Sequence, residues 1–427
     1  MTITKHLVLK PQYYNSFSCI NSSCEDNCCN KPWRIHIDKK TYEMYENVED
    51  TALRQKLDFC IKRINSDNAS ESQYAEFVFE DGGQCPFQTG EGLCEIHRDL
   101  GERFLCRICR MYPRSARSIN DEYIELSVSM SCPEAVRVAL YDVNPMEFDA
   151  DEVEIESDNP LVLSKQVPLP GDIPTHYIKY GWDMRAASIA IMQDRLYPIS
   201  HRLAIISMML EQVVLLHDNQ NASGIPFVLQ LYCEKTVCTQ VSDSLKSIKA
   251  NDNIRREMCT MLYHTIKHRS ESAPGSVFAE IIARIDSRIE STYPISINQY
   301  SDNGFDAFYA YIEQAVEMHW DSFLSQWSHV LENYFVNYMF SEIFPLKHHD
   351  ANMNPYHHSL ILAIQLAFLR ILLCGNYNSD EGFNAQYITR TITHVAEIVQ
   401  HTAALMRIAF SYVSAKIAGL EYVFFLL

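Results

Sequence analysis

Nine cysteines in the first third of the chain are grouped at short spacings, and their thiolates could ligate a metal. Thiolate sulfur is a soft ligand that suits zinc and iron-sulfur clusters. The grouped residues are Cys19, Cys24, Cys28, Cys29, Cys85, Cys94, Cys106, Cys109 and Cys132. They predict a site for a metal ion or an iron-sulfur cluster in this part of the chain.

Zinc and an iron-sulfur cluster both suit these residue types. A zinc ribbon has two Cys-x2-Cys pairs for each ion. This chain has one such pair, Cys106 and Cys109, together with an unusual Cys28-Cys29 doublet. Spacing alone leaves both alternatives open.

Disulfide bonds are the weaker interpretation of these cysteines. The first ten residues, MTITKHLVLK, lack the apolar stretch and the cleavage site of a secretion signal. We therefore expect a cytoplasmic protein, and disulfides are rare in a reducing cytosol. Adjacent Cys28 and Cys29 also cannot easily reach the geometry of a disulfide bond.

Composition and charge restrict the class of protein. The 427 residues are 47% hydrophobic, which is enough for a large core divided into two or three domains. The net charge of −18 opposes binding to nucleic acid or to an anionic membrane. It favours a basic partner such as a lysine-bearing protein, although acidity also serves solubility. Residues 360–374 are apolar but interrupted by Gln365 and Arg370, so we predict a buried helix capped by Gly375 and no membrane span.

The sequence predicts two domains joined by a linker. Residues 142–158 contain eight carboxylates and no basic residue, and several prolines follow. Such composition is typical of loops. We predict a cysteine-rich metal-binding domain over 1–141, an acidic linker over 142–174 and a helical domain over 175–427.

The hydrophobic pattern predicts a mainly α fold with a smaller α+β, cysteine-rich domain at the N-terminus. In that domain we predict strands at 77–79 and 123–128 and helices at 95–105 and 133–140. After the linker, apolar residues at steps of three and four predict helices almost throughout, the last of them over 383–418. One predicted apolar face in this region comprises Trp182, Ala186 and Ile189.

The cysteine segments and their neighbours resemble the bacterial flagellin lysine-N-methylase family, with a cysteine-cluster domain described as zinc- or iron-chelating. The resemblance covers about the first 135 residues. Its motifs are Tyr13-Tyr14, Phe17, Cys24-Glu25-Asp26-Asn27-Cys28-Cys29, Trp33-Arg34-Ile35, Cys85-Pro86-Phe87, Cys94-Glu95-Ile96-His97, Cys109-Arg110-Met111-Tyr112-Pro113-Arg114 and Ser131-Cys132-Pro133-Glu134.

The resemblance implies an enzyme that moves a methyl group from S-adenosylmethionine to the ε-amines of flagellin lysines. It also implies an iron-sulfur cluster, expected to be of the 4Fe-4S type. The Cys-x3-Cys-x2-Cys signature of radical S-adenosylmethionine enzymes is absent, because Cys29 follows Cys28 directly. A Rossmann glycine turn is also missing, since Asp81-Gly82-Gly83-Gln84 leads into Cys85 and not into a helix.

Five further residues are candidates for the reaction itself. Arg107, Arg110 or Arg114 could pair with the carboxylate of S-adenosylmethionine, and they could equally balance the charge of a thiolate-ligated centre. The acceptor lysine must be deprotonated to react. Tyr112 or Glu134 could position this amine, although core packing of Tyr112 and a helix start at Glu134 explain them as well.

A non-enzymatic alternative stays open from the sequence. In it, zinc stabilises the cysteine domain, and the helical part serves as an adaptor or as a metal-handling module. In both interpretations we expect neither nucleic acid as a partner nor insertion into a membrane.

Overall fold

The computed structural model describes most of the chain. The described residues are 3–30, 34–65, 70–79, 84–119, 123–156, 165–166, 174–248, 252–272, 276–293, 302–346 and 353–401. Trp33, the Asp81–Gly83 turn and the predicted helix beyond residue 401 lie outside them. The chain divides into two compact units, of which the first is Met1–Ala135 with Phe148–Gln166 and the second is Val136–Glu147 with Val167–Leu427.

The strands of the described residues all belong to the first unit. They are β1 (Ile3–Pro11), β2 (His36–Ile37), β3 (Ile61–Arg63), β4 (Ala75–Phe77), β5 (Arg114–Ile119), β6 (Tyr123–Val128), β7 (Phe148–Glu156) and β8 (Lys165–Gln166). Five form a sheet of order β7-β1-β6-β5-β8, in which β1 runs parallel to β6 and antiparallel to β7. The other three form an antiparallel sheet of order β2-β4-β3.

Strand β7 corrects the prediction of a linker over 142–174. Its nine residues pair along the whole of β1, from Ile3 opposite Glu156 to Pro11 opposite Phe148. The carboxylates of β7 are accommodated because they stand on a sheet edge, where Lys10 forms an ion pair with Asp151 at 3.1 Å. The acidic segment is therefore part of a sheet over these residues.

The first unit also contains short helices, and three of them begin directly after a cysteine. They are α1 (Lys39–Glu46), α2 (Thr51–Cys60), α3 (Glu95–Leu100) and α4 (Arg107–Met111), while α5 (Pro133–Leu140) begins in this unit and ends in the second. The predicted strand at 123–128 and the predicted helix at 133–140 are confirmed. The helix predicted over 95–105 ends at Leu100, because Gly101 has φ +89°. The strand predicted at 77–79 lies at β4 instead.

The described part of the second unit is helical. Its helices are α6 (Thr175–Lys179), α7 (Gly181–Met192), α8 (Ile199–Asp218), α9 (Ile225–Tyr232), α10 (Lys235–Lys246), α11 (Asp252–Ser272), α12 (Val277–Thr292), α13 (Asp302–Ser341), α14 (Pro355–Gly375) and α15 (Ala385–His401). Helix α14 packs against α8, α13 and α15. The chain is thus mostly helical with a small amount of sheet, as predicted.

Within the part of the chain that the structure describes, two helices are long and apolar enough to cross a membrane by length and composition alone. They are α8 and α14, and 56% and 94% of their most apolar windows are buried inside the structure. This is a weak indication, because the core helix of a soluble protein passes the same test. The predicted buried helix over 360–374 is confirmed by the burial of α14.

Two details of the helical prediction are wrong. Gly375 is the last residue of α14 and not its cap, which is Asn376 with φ −101°. A Cβ at Gly375 would lie 2.7 Å from Ile312 Cδ1, so glycine serves close packing there. In α7, Trp182 is 48% exposed and packs over the Arg185 guanidinium at 4.6 Å. The buried face of α7 is formed by residues such as Met184, whereas Ala186 of the predicted face is exposed like Trp182.

Candidate metal centre

All nine grouped cysteines line one cavity of the first unit. Its volume is about 480 Å³, and every one of these cysteines is a free thiol. A cavity of roughly 10–15 Å³ on the same measure holds one water, whereas pockets for small molecules and cofactors enclose about 300–1,000 Å³. The cavity therefore has the size of a cofactor site and exceeds what a single ion needs.

Helix starts position three of the thiols. Cys94 immediately precedes α3, Cys106 precedes α4, and Cys132 precedes α5. The first amides of a helix have no partner within it and favour a nearby thiolate. The amides that act on these sulfurs belong to Ile96, His97, Ile108, Cys109, Glu134 and Ala135.

Polar bonds join cysteine segments that are distant in sequence. The amide of Cys85 donates to the carbonyl oxygen of Cys29 at 2.9 Å. The side-chain oxygen of Asn27 accepts from the Cys29 amide at 2.9 Å, and its nitrogen donates to the Gly92 carbonyl at 3.4 Å. Asn27 thus fixes the doublet against the loop that carries the next two cysteines.

Two pairs of thiols, Cys106 with Cys109 and Cys28 with Cys29, are hydrogen-bonded, and in each pair the hydrogen bond changes a thiol pKa. A hydrogen bond with Cys109 lowers the pKa of Cys106, and the same interaction raises the pKa of Cys109. The first proton of this pair therefore leaves more easily than the second. A hydrogen bond with Cys28, together with burial, raises the pKa of Cys29. A cation that replaces the remaining protons would relieve the repulsion between the thiolates.

Burial raises the pKa of several thiols, and the thiols fall into two groups according to which of them act on one another electrostatically. Burial raises the pKa of Cys85 to about 11 and that of Cys132 to about 12. We define the inner thiols by their electrostatic action on one another: they are Cys29, Cys85, Cys94, Cys106 and Cys109. The outer thiols, linked in the same way, are Cys24, Cys28 and Cys132. Of these, Cys28 also acts on the inner thiols Cys29 and Cys85 and so connects the two groups. Cys19 is exposed at the cavity wall.

The described sulfurs do not have the close spacing that they would have around a bound zinc ion. In tetrahedral geometry with Zn–S bonds of about 2.3 Å, thiolate sulfurs lie about 3.8 Å apart. Among the described residues, no three cysteine sulfurs lie within 4.8 Å of one another. The donor set consists of thiols, which fits a thiolate-ligated cluster and zinc alike.

Three of the five residues predicted for the reaction line the cavity. They are Arg110, Tyr112 and Arg114, whereas Arg107 and Glu134, both described, are outside the wall. Arg110 forms an ion pair with Glu102 at 3.6 Å.

The other two wall residues are held by neighbouring carbonyl groups. Arg114 donates to the Phe17 carbonyl at 2.9 Å and stacks over the Phe17 ring. The Tyr112 hydroxyl donates to the Ser131 carbonyl at 2.9 Å, immediately before Cys132. Burial raises the pKa of Tyr112, so this hydroxyl stays protonated.

Sequence reasoning missed Tyr45. Its ring lines the cavity and is 2% exposed. The signal available was its place on the apolar face of α1, which predicts core packing and gives no indication of a nearby metal. His97, close to Cys94, also lines the cavity.

Comparison with known proteins identifies a matching family and several relatives that match over part of their length. A family model described as the FliB lysine N-methylase C-terminal domain matches residues 185–426. A lysine-N-methylase of Salmonella choleraesuis is 32% identical over 162 residues, and one of Salmonella typhimurium is 31% identical over 162 residues. Each match covers 37% of this chain and 39% of the relative, so the chain spans well under half the length of these methylases.

A shorter relative matches over most of its own length. The flagellar biosynthetic protein FliU of Salmonella muenchen is 31% identical over 140 residues, which are 33% of this chain and 80% of that protein. No solved structure matches the chain.

Proposed function

The chain belongs to the FliB lysine N-methylase family, and from that premise we propose that it methylates lysine side chains of flagellin. The methyl donor is S-adenosylmethionine, and the reaction depends on an iron-sulfur cluster of the 4Fe-4S type. The observation that carries the proposal is the cavity, which nine free thiols line and which is large enough for a cluster together with part of a substrate.

The inner thiols would hold the cluster. Cys85, Cys94, Cys106 and Cys109 lie close enough to influence one another's protonation. The charge of Cys29 also raises the pKa of Cys109, which is one of these four thiols. Bound through three of these thiols, the cluster would supply an iron with an open coordination position for the amino and carboxylate groups of S-adenosylmethionine. The outer thiols are available for a second ion.

The arginines of the cavity wall orient the donor. Arg110 is 38% exposed and its ion pair with Glu102 is long, so its guanidinium can turn to a carboxylate in the cavity. Arg114 is held by Phe17 and contributes positive charge from a fixed position. Arg107 lies next to Cys106, and we retain it as a third candidate for this role.

Tyr112 and Glu134 are proposed to hold the acceptor lysine. Because the Tyr112 hydroxyl donates its proton to Ser131, its oxygen can accept an N–H from the neutral amine and leave the nitrogen lone pair free. The nitrogen then forms a bond to the methyl carbon as the carbon–sulfur bond of the sulfonium breaks. The products are S-adenosylhomocysteine and a methylated ammonium.

Charge and composition support the choice of substrate. The net charge of −18 favours a partner that presents lysines and opposes nucleic acid. The flagellar name of the FliU relative supports a flagellar protein. We propose that the reaction takes place in the cytoplasm, where the nine thiols stay reduced, without insertion into a membrane.

Metal analysis and methyl transfer test the proposal together. Anaerobically purified protein should contain iron and sulfide, absorb visible light, and transfer methyl groups from labelled S-adenosylmethionine to flagellin lysines, as read by mass spectrometry. The double substitution C106S/C109S should abolish both properties. C233S replaces an exposed cysteine of the second unit and should change neither.

The outcomes separate the two candidate functions. Colourless protein that contains zinc and transfers no methyl group would establish the adaptor or metal-handling alternative. If the protein contains iron but leaves flagellin unmodified, the proposed cluster stands and the proposed activity is wrong.

A further inference from the structure

The hydroxyl group of Tyr45 is buried without a hydrogen-bond partner among the described residues. The side chain is 2% exposed, and it lines the cavity that the nine thiols share. Buried hydroxyl groups are nearly always paired, because leaving one unpaired costs the free energy of removing it from water. The Tyr45 hydroxyl is therefore available to donate to a group bound beside it.

Three inner thiols have the largest electrostatic effects of any charged groups on this hydroxyl. Burial raises the pKa of Tyr45, and the thiolates of Cys106, Cys109 and Cys94 raise it further. The phenol is consequently a hydrogen-bond donor at neutral pH, and these three thiols line the same cavity as its ring. Metal-bound thiolates and inorganic sulfides accept hydrogen bonds of this kind.

The ring of Tyr45 cannot readily turn away to water. It belongs to α1, which Asp38 caps through the Thr41 amide at 2.9 Å. Arg54 donates to the Tyr45 carbonyl at 2.5 Å. The ring also stacks on Phe77, with 6.4 Å between centroids. The ring is thus held in place by contacts that do not involve the cysteines.

We propose that the Tyr45 hydroxyl donates a hydrogen bond to a sulfur of the metal centre held by the inner thiols. The inference rests on the proposed function, since it needs a centre in the cavity. In it, Tyr45 is a positioning residue that acts through the sulfur and does not touch the substrate. The hydrogen bond stabilises negative charge on sulfur, so it favours the reduced form of a cluster and raises its reduction potential.

Substitution of the hydroxyl alone tests this role. Y45F should retain the iron content of the wild type, but its cluster should have a lower reduction potential in a spectroelectrochemical titration. The metal-loaded variant should also unfold at a lower temperature than the loaded wild type. The metal-free variant should be at least as stable as the metal-free wild type, because it loses an unpaired buried hydroxyl.

The matched control is Y42F, on the same helix. The Tyr42 ring packs against Tyr74 and is outside the cavity wall, so the potential should not change in this variant. Equal potentials of Y45F and wild type at equal iron content would overturn the inference. So would an equal loss of thermal stability in the loaded and metal-free forms.

Metal content distinguishes this failure from failure of the proposed function. If the wild-type protein binds neither iron nor zinc, the proposed metal centre is wrong, and the proposed Tyr45 hydrogen bond is wrong with it. If the centre is zinc, the comparison of loaded and metal-free stability decides the inference in the same way.

Discussion

The main-chain amide of Cys85 donates a hydrogen bond to the carbonyl oxygen of Cys29, with 2.9 Å between the two atoms. Asn27 adds a second connection between the same segments, through Cys29 and Gly92. Neither connection uses a metal. The thiols are thus brought together by the polypeptide, which reduces the ordering cost that metal binding would otherwise carry.

Substitution N27A should weaken metal binding. It removes both side-chain hydrogen bonds that hold the Cys28-Cys29 doublet. Loss of such a supporting contact typically lowers metal affinity about 10–100-fold, and we expect a loss of that size. Competition with a chromophoric chelator measures it. N47A removes only an exposed bond to the Glu43 carbonyl and should keep the wild-type affinity; equal affinities of N27A and wild type would contradict the prediction.

The metal-free protein should lose stability as the pH rises above about 9. Burial raises the pKa of Cys85 from 9.0 to about 11, so between these values the folded protein retains a proton that the unfolded chain has released. Stability is full below the unfolded pKa and falls as pH rises, by up to roughly 1.4 kcal/mol per pH unit for one thiol. Denaturant unfolding at pH 8 to 10.5 measures the slope. C85S should flatten it, and a slope unchanged by C85S would show that other groups cause it.

Substitution Y112F should lower methyl transfer more than it lowers stability. Loss of the bond to Ser131 should cost about 1 kcal/mol of unfolding free energy. Loss of the proposed contact to the amine should reduce kcat/KM about tenfold or more. Y141F is the matched control, since the Tyr141 hydroxyl donates to the Ala385 carbonyl at 2.7 Å. Y141F should lose similar stability and keep its activity; equal activities of the two variants would remove Tyr112 from the reaction.

Substitution E332Q should strongly destabilise the second unit. Glu332 is 1% exposed and accepts hydrogen bonds from Arg195 and Arg202, each at 2.8 Å. Removing its charge leaves a buried guanidinium without its counterion, which should cost about 3 kcal/mol.

Chemical denaturation measures this cost against a surface pair. Lys246 and Asp243 form an exposed ion pair at 2.9 Å, so D243N should change stability by less than about 0.5 kcal/mol. If E332Q and D243N have equal effects, the buried cluster does not contribute as described.

The sequence predicted the strands and helices that depend on residues close to one another in the chain. Strand β6 alternates apolar and polar residues, and α5 begins at a proline, and both lie where they were expected. Strand β7 could not be predicted in this way. Its run of aspartate and glutamate has low strand propensity, and only its pairing with β1, more than a hundred residues earlier, makes it a strand.

The sequence predicted the candidate ligands of the site but not the residues that surround them. Cysteine spacing indicated nine ligand candidates, and the structure places all of them on one cavity. Tyr45 carries no such signal, since a tyrosine on the apolar face of a helix is ordinary core. Which thiols face one another depends on loop geometry, and spacing in sequence does not determine it.

The return of the chain to pair β7 with β1 has a practical consequence for dissecting the protein. A truncated protein that stops near residue 141 would lack β7 and leave β1 as an open edge over its whole length. Unpaired edge strands recruit other chains. A soluble cysteine-containing half will therefore require residues 148–166 to be supplied as well, for example by joining them through a short replacement loop.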